Sequence, residues 1–327
     1  MSEQSAVSTV HQPVLLQEII SVFQSQENAK TENAEPFFLD CTLGGGGHAL
    51  ALLNAHPIAH LCALDRDASA LARARVRLAA FAERVTFSHG SFLDLQALYS
   101  ERYFDVILAD LGTSMDQLKG ARGFSFNDAA ALDMRMDESQ ELSAKDVVNT
   151  YEERALKKVL QVGGCGSEAA SLARAIVRAR PFLNAKQLAE VINAATPPAK
   201  RSGTGQAHTH PATVPFQAIR IEVNDELSQI RALLKAIPLL IKLGGRCAVI
   251  TFHSLEDKLV THTMRRWEQG GERSSVSRVT PTEPSLGRLL SKKAIVASDT
   301  ERAANPASRS ARLRVFQFHT EAACQQF

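Results

Sequence analysis

The sequence predicts an α/β fold: a doubly wound, mostly parallel sheet covered by helices and interrupted by an inserted helical domain. Three observations predict it. Short apolar runs of strand length alternate with helical patterns, which signals a parallel sheet with helices on its faces. A glycine-rich turn, Gly44 to Gly47, joins the first strand to the helix after it. Between Ala109 and Arg246 no segment reads as a strand, so the sheet must be interrupted there.

Taken in order, strands are expected at Phe37 to Cys41, His60 to Leu64, Val85 to Ser88, Phe104 to Ala109, Arg246 to Phe252 and Arg312 to His319. Helices are expected at Leu50 to Ala55 and at Ala68 to Phe81, the second rich in Ala, Arg and Leu and opening just after Asp67. The strand-free stretch holds helical segments at Ser143 to Val162, Ser167 to Arg180 and Ala185 to Ala194. It closes with Thr196 to His210, rich in Pro, Gly, Ser, Thr and His, which reads as a loop. A helix over Thr213 to Ile237 then leads back to the sheet. The expected division is a sheet domain over 1–112 and 213–327 and an inserted helical domain for substrate recognition over 113–212.

Composition sets the outer bounds. A chain of 327 residues with 45% hydrophobic content can bury one large core and a second, smaller one. No apolar run approaches the ~20 residues that span a bilayer, and the first ten residues lack both a basic leader and an Arg-rich amphipathic pattern. The five cysteines form no CxxC pair, as expected of reduced thiols. These features predict a soluble, cytoplasmic protein with no membrane partner. A formal charge of +2 is too small to make the whole molecule a polyanion binder. From Arg265 to Arg314, however, eleven Lys or Arg stand against five Asp or Glu. That stretch is either a local nucleic-acid patch or a solvated tail.

The segment FFLDCTLGGGGHALALL runs strand, glycine turn, helix, which lets backbone N–H groups and a helix N-terminus approach a ligand closely. Asp65 ends the next strand about 20 residues on, where an acidic side chain accepts hydrogen bonds from ribose hydroxyls. Together they imply an adenosine-containing ligand. Gly44-x-Gly46-x-x-Ala49 also satisfies the relaxed dinucleotide fingerprint, so NAD stands beside S-adenosylmethionine at this point. Two later loops favour the second: GSF at Gly90 to Phe92 and ADLGTS at Ala109 to Ser114 follow the third and fourth strands. Phe92 is placed to pack on a base or to fill the core, and Asp110 to face the methionine portion or to cap a helix.

Nine motifs then fall in one order along nearly the whole chain. They are HQPVLLQE at His11, DCTLGGGGH at Asp40, LDRD at Leu64, DLGTSMDQL at Asp110, RGFSF at Arg122, LDMRMD at Leu132, FQAIRIEVNDEL at Phe216, FHSLEDK at Phe252 and NPASRSARLRV at Asn305. On these motifs the chain resembles the bacterial RsmH (MraW) family of ribosomal-RNA cytosine-N4 methyltransferases. The resemblance implies a Rossmann-like class I methyltransferase sheet with a helical insertion. It also implies S-adenosyl-L-methionine as cofactor, held by Gly46, Gly47, His48, Asp65, Phe92, Asp110 and Gln117. The implied substrate is the N4 amine of a decoding-centre cytidine in 16S rRNA, within the small subunit or its precursor, and a homodimer is compatible with it.

The chain departs from the family pattern, close to DLGVSSPQLD, at Thr113, Met115, Asp116 and Lys119, beside the expected methyl-transfer centre. The family's GEE element is Gly166, Ser167, Glu168 here, and Ala307 stands where a basic residue is common. The Asp/Asn-Pro-Pro-aromatic tetrapeptide of many amino-methyltransferases is replaced by Asp110-Leu-Gly-Thr. Asp110 is therefore the leading candidate to accept the N4 proton, with Asn224 and His253 behind it; a lone His is also often structural. Arg122, Arg135, Arg309, Arg312 and Arg314 are candidate phosphate contacts, although Arg135 has Asp133 and Asp137 as alternative partners. Phe124 and Phe126 are core residues or stacking platforms. No cluster has metal-ligand spacing. Two rival readings are an NAD-dependent oxidoreductase, which leaves the later motifs unexplained, and a noncatalytic RNA-binding or ribosome-assembly protein on the same sheet.

Overall fold

The structure, a computed structural model, describes residues 13–27, 35–99, 103–113, 117, 122–125, 131–197, 210–270 and 284–319. It divides into two compact units, Met1–Gly112 with Ala232–Phe327, and Thr113–Arg231.

In the first unit the apolar runs become strands β1 (Phe37–Asp40), β2 (His60–Asp65), β3 (Val85–His89), β4 (Phe104–Asp110), β5 (Ile241–Thr251), β6 (Gly287–Leu289), β7 (Ile295–Val296) and β8 (Arg312–Phe318). Among the described residues they form one sheet in the order β3-β2-β1-β4-β5-β8-β6, with β7 also paired to β8. Pairing is parallel from β3 through β5 and antiparallel from β5 to β8 and onward. Strands buried on both faces need continuous apolar sequence, and the unbroken burial of β4 from Phe104 to Ala109 meets that need. The chain order runs outward in one direction from β1 to β2 and in the other from β1 to β4. Ligands of open α/β sheets bind beyond the carboxyl ends of the strands at such a reversal. Here that point lies beside Asp40 and Asp110.

Helices α1 (Leu16–Glu27), α2 (Gly47–Ala55), α3 (Ala68–Arg77) and α4 (Leu95–Tyr99) belong to this unit. One sheet face is sealed by a cluster that includes Leu15, Ile19, Phe23, Leu52, Phe38, Val106, Ile250 and Leu313. Asp67 caps α3 by accepting from Ser69 and Ala70 N–H groups, the role its sequence position suggests. The fifth strand begins five residues earlier than expected, at Ile241. Opposite Phe104 to Val106 its register slips, and a Cβ on Gly245 would lie 2.7 Å from Ile241 Cγ1. Only a glycine fits this bulge, and Gly-Gly reads as a turn in sequence. Strands β6 and β7 are too short to leave a periodicity.

The second unit is helical: α5 (Ala144–Thr150), α6 (Glu153–Val162), α7 (Ala169–Arg178), α8 (Ala185–Ala195) and α9 (Thr213–Asn224), with α10 (Glu226–Leu240) carrying the chain out of it. The segment expected as one helix over Ser143 to Val162 breaks at Tyr151, whose backbone is extended. The helix expected over Thr213 to Ile237 breaks at Asp225, which turns left-handed at φ +46°. The insertion also ends later than position 212. Phe216, Ala218, Ile219 and Val223 of α9 pack into the helical core with Leu132, Val147, Leu172 and Ile192, so α9 belongs to the helical unit. No helix among the described residues is long and apolar enough to cross a membrane.

Candidate cofactor site

The glycine turn is built by its neighbours on the sheet. Leu43 N–H donates to the Leu64 carbonyl at 3.0 Å, and Gly44 N–H donates to Asp65 Oδ2 at 2.6 Å. Gly44 and Gly46 sit at φ +53° and +75°, a region that side-chain-bearing residues avoid. A Cβ on Gly44 would meet nothing within 4 Å, so the turn leaves open space beside the Asp65 carboxylate. Gly46 caps α2, and Gly47 opens it against Pro13. From behind, Arg77 of α3 donates to the Gly45 carbonyl at 3.1 Å.

Asp65 ends β2 and also accepts from Asp67 N–H at 2.8 Å. Burial raises its carboxyl above the usual range, against the two backbone donors. Each oxygen keeps a second lone pair for a ribose hydroxyl. The loop after β3 is tied to the same strand end, because Gly90 N–H donates to the Asp65 carbonyl at 3.1 Å. Phe92 opens a short 3₁₀ turn whose cap is the reciprocal Ser91–Asp94 pair, and it is half-buried.

At the end of β4, Asp110 N–H donates to Thr42 Oγ1 at 2.6 Å, which joins β4 to the residues after β1. Its Oδ1 is buried without a hydrogen-bond partner among the described residues. Burial first, then the charges of Asp40 and Glu256, push its carboxyl well above the carboxylate range. His48 Nδ1 lies 3.8 Å from Asp110 Oδ2, while His48 Nε2 donates to the Val14 carbonyl at 2.9 Å. Asp40 is 2% exposed. Its carboxyl is pushed up to about 7, chiefly by burial and also by Asp65, with Thr42 hydrogen bonds opposing. Asp40 and Glu256 were not among the candidates read from sequence. Both lie within motifs, DCTLGGGGH and FHSLEDK, and only their convergence on Asp110 marks them.

Burial, Asp40 and Glu256 all disfavour negative charge on Asp110, and among the described residues one of its buried oxygens lacks a donor. Such a site favours a cationic ligand, and a sulfonium or an ammonium supplies that charge. The open glycine turn and Asp65 suit a ribose. The residues present therefore fit S-adenosylmethionine.

The remaining candidates separate. His253 caps helix α11 (Ser254–Gln269): its Nδ1 accepts from Glu256 N–H at 3.4 Å and its Nε2 lies 3.1 Å from Glu256 Oε1. Glu256 in turn accepts from Phe252 N–H at 2.8 Å. His253 is thus a cap whose partner also biases Asp110. Asn224 makes structural contacts within the helical unit. It is 1% exposed; its amide donates to the Met134 and Arg220 carbonyls and accepts from Met136 N–H, at 2.8–2.9 Å. Those bonds hold Met134 at φ +58°, a costly conformation for its residue type. Gln117, in the helical unit, is buried.

Among the arginines, Arg135 grips Asp133 with two bonds of 2.7 and 2.9 Å and donates to the Glu138 and Gln140 carbonyls. Arg314 grips Asp257 at 2.9 and 3.0 Å and is only 11% exposed. Arg122 pairs with Glu138 at 3.0 Å. The charges of these three are matched within the fold. Arg312 is half-exposed beside Asp257, and Arg309 is exposed on the turn before β8. Phe124 is a core residue of the helical unit. Phe126, Met115, Asp116 and Lys119 lie outside the described residues. Gly166, Ser167 and Glu168 form a 3₁₀ turn before α7, and Ala307 packs against the sheet core.

Against known sequences, the profile of the MraW methylase family matches residues 8–319. The chain belongs to the MraW methylase family. It is 40% identical over 319 residues to the ribosomal RNA small subunit methyltransferase H of a Nitratiruptor species, covering 94% of this chain and 98% of that one. It is 41% identical over 312 residues to the protein of that name from a Nostoc species, covering 95% and 93%. A solved rRNA methylase from Streptococcus thermophilus is similar at 8% identity and a TM-score of 0.41, over 93% of this chain and 94% of that one. Membership makes the chain a methylase and removes the oxidoreductase reading.

Proposed function

We propose that this MraW methylase transfers a methyl group from S-adenosylmethionine to the N4 amine of a decoding-centre cytidine in 16S rRNA. The carrying observation is the buried, unpartnered Asp110 Oδ1 at the reversal of the sheet, beside the glycine turn and Asp65. The names of the relatives support the RNA class.

When bound, S-adenosylmethionine supplies an electrophilic methyl on a sulfonium. Asp65 would accept from the ribose hydroxyls, Phe92 would pack on the adenine, and Gly46, Gly47 and His48 would complete the contacts to the cofactor. Methyl transfer is an in-line displacement that needs the amine ~3–3.5 Å from the methyl carbon, so positioning is the main task. The lone pair of a cytosine amine is delocalised into its ring. A hydrogen bond from N4–H to an acceptor localises it, and Asp110, held ready to take a proton, is that acceptor. Extracting the base from its stack costs a few kcal/mol. Arg309 and Arg312 neutralise phosphates, and the unit Thr113–Arg231 recognises the RNA. The substrate is the small ribosomal subunit or its precursor, the location is cytoplasmic, and a homodimer is compatible with this reading.

The test is tritium transfer from labelled S-adenosylmethionine to small-subunit RNA and particles lacking the modification, with nucleoside analysis of the product. Labelled N4-methylcytidine is expected. Absence of transfer to naked RNA, precursor particles and mature subunits alike would replace this reading with the noncatalytic one.

A further inference from the structure

Leu15 is the odd residue of the amino-terminal segment. It is fully buried and sits at φ +52°, where a side chain with a γ-branch costs about 1–2 kcal/mol. Such strain persists only where the surroundings over-determine it, and it gathers at functional sites. Two contacts do the holding. Glu301 Oε1 accepts from Leu15 N–H at 2.7 Å, across 286 residues of sequence. The Leu15 carbonyl accepts from Ile19 N–H at 3.0 Å and so starts α1. Glu301 is itself fixed in the first turn of helix α12 (Asp299–Ala304), where its N–H donates to the cap Ser298 Oγ at 3.1 Å.

The residue immediately before Leu15 is the one that orients His48. A carbonyl can only accept, so the 2.9 Å contact between His48 Nε2 and Val14 O puts the ring proton on Nε2. Nδ1 is then the nitrogen presented to Asp110 Oδ2, 3.8 Å away. The contacts thus run without a gap from Glu301 to Leu15, through the Val14 peptide to His48, and on to Asp110. None of the nine sequence motifs contains Glu301.

We infer that Glu301 is a positioning residue for the cofactor site: it pins the strained Leu15 so that the Val14 carbonyl fixes the tautomer and aim of His48 toward Asp110. The inference rests on the reading of this site as the S-adenosylmethionine site.

Two substitutions divide reach from charge. Glu301→Gln keeps an acceptor oxygen at the same reach, and Glu301→Asp keeps the charge but falls one methylene short. Titration of the full chain with S-adenosylmethionine is expected to show near-normal affinity for the first and about a fivefold to tenfold loss for the second, the scale of one hydrogen bond. The loss must act through His48, so it is expected to disappear when Glu301→Asp is made in a His48→Ala background. An unchanged Asp variant, or a loss that persists without His48, overturns the inference. A readout independent of any variant's folding is nitrogen NMR of His48 in the wild-type chain. Within the neutral ring the proton is expected on Nε2, and a substantial population of the neutral Nδ1–H tautomer overturns the inference. If the wild-type chain binds no S-adenosylmethionine, the parent reading fails, and the His48 spectra of the wild-type and Glu301→Asp chains then decide the positioning: a shift of tautomer or ring environment in the variant supports it, and identical spectra overturn it.

Discussion

His48 Nδ1 faces Asp110 Oδ2 at 3.8 Å, with the opposite ring nitrogen tied to the Val14 carbonyl. Helix α2 and strand β4 therefore meet through two groups: the Val14 carbonyl fixes the ring of His48, and the Thr42 hydroxyl, accepting from the Asp110 N–H, fixes the backbone that carries the Asp110 carboxyl. A pair held this firmly makes the behaviour of the acidic centre open to direct tests.

Asp110→Asn keeps the shape of the site and removes the proton acceptor. Single-turnover methylation at saturating S-adenosylmethionine is expected to fall by about 100-fold or more, the scale of a lost general base. Cofactor binding measured separately is expected to change much less. Near-normal turnover by the variant would remove Asp110 from the chemical step.

Asp40 bears on stability against pH. Its carboxyl is raised from the ordinary value to about 7, so the folded state holds the proton more tightly than the unfolded chain does. Its favourable contribution is complete at low pH and is lost as pH rises from about 4 through 7. Asp40→Asn retains an oxygen for Thr42 N–H and cannot ionise. Denaturant unfolding is expected to show little difference from wild type at pH 4 and a variant more stable at pH 8, by on the order of 3 kcal/mol. Equal stabilities at pH 8 would show that Asp40 ionises freely.

Gly44 and Gly166 offer a matched pair. Both have positive φ, +53° and +55°, and a Cβ on either meets nothing within 4 Å. Alanine at each position is expected to cost about 1 kcal/mol of stability through backbone strain. Only Gly44→Ala places a methyl beside Asp65, so only it is expected to weaken S-adenosylmethionine, by about tenfold or about 1.4 kcal/mol. Equal binding by the two variants would place the cofactor elsewhere.

Two arginines of the basic stretch should behave oppositely. Arg314→Ala leaves Asp257 largely buried beside a weaker partner, and a stability loss of about 2–3 kcal/mol is expected. Arg309→Ala touches an exposed side chain and is expected to leave stability unchanged. Its effect is expected in RNA binding, where the slope of log affinity against log salt falls by roughly 0.7–0.9 for one lost phosphate contact. A salt slope identical to wild type would take Arg309 out of the RNA surface.

Much of this molecule is legible in its sequence because the signals are local. The apolar runs at Phe37, His60 and Phe104 are strands because strands buried on both faces admit little else, and Gly44 with Asp65 marks a nucleoside site because both sit at fixed offsets from those strands. Position 212 failed as a boundary because membership of a core depends on which face a helix buries. Phe216 and Val223 are apolar in either unit, and only packing assigns them. The same limit applied to Arg314 and Asn224, whose partners Asp257, Met134 and Met136 lie far off in sequence, whereas Arg135 pairs with Asp133, a partner already in view two residues away.

The sequence by itself determined the family, the glycine turn and six of the eight strands described, because these rest on residue types at short spacing. The tertiary structure alone decided the acidic centre. Asp40, Asp65, Asp110 and Glu256 stand on four separate elements, and their shared burial and mutual repulsion exist only once parallel strands bring their carboxyl ends together. It alone also decided that Glu301 reaches Leu15, since a contact across 286 residues leaves no trace in local pattern.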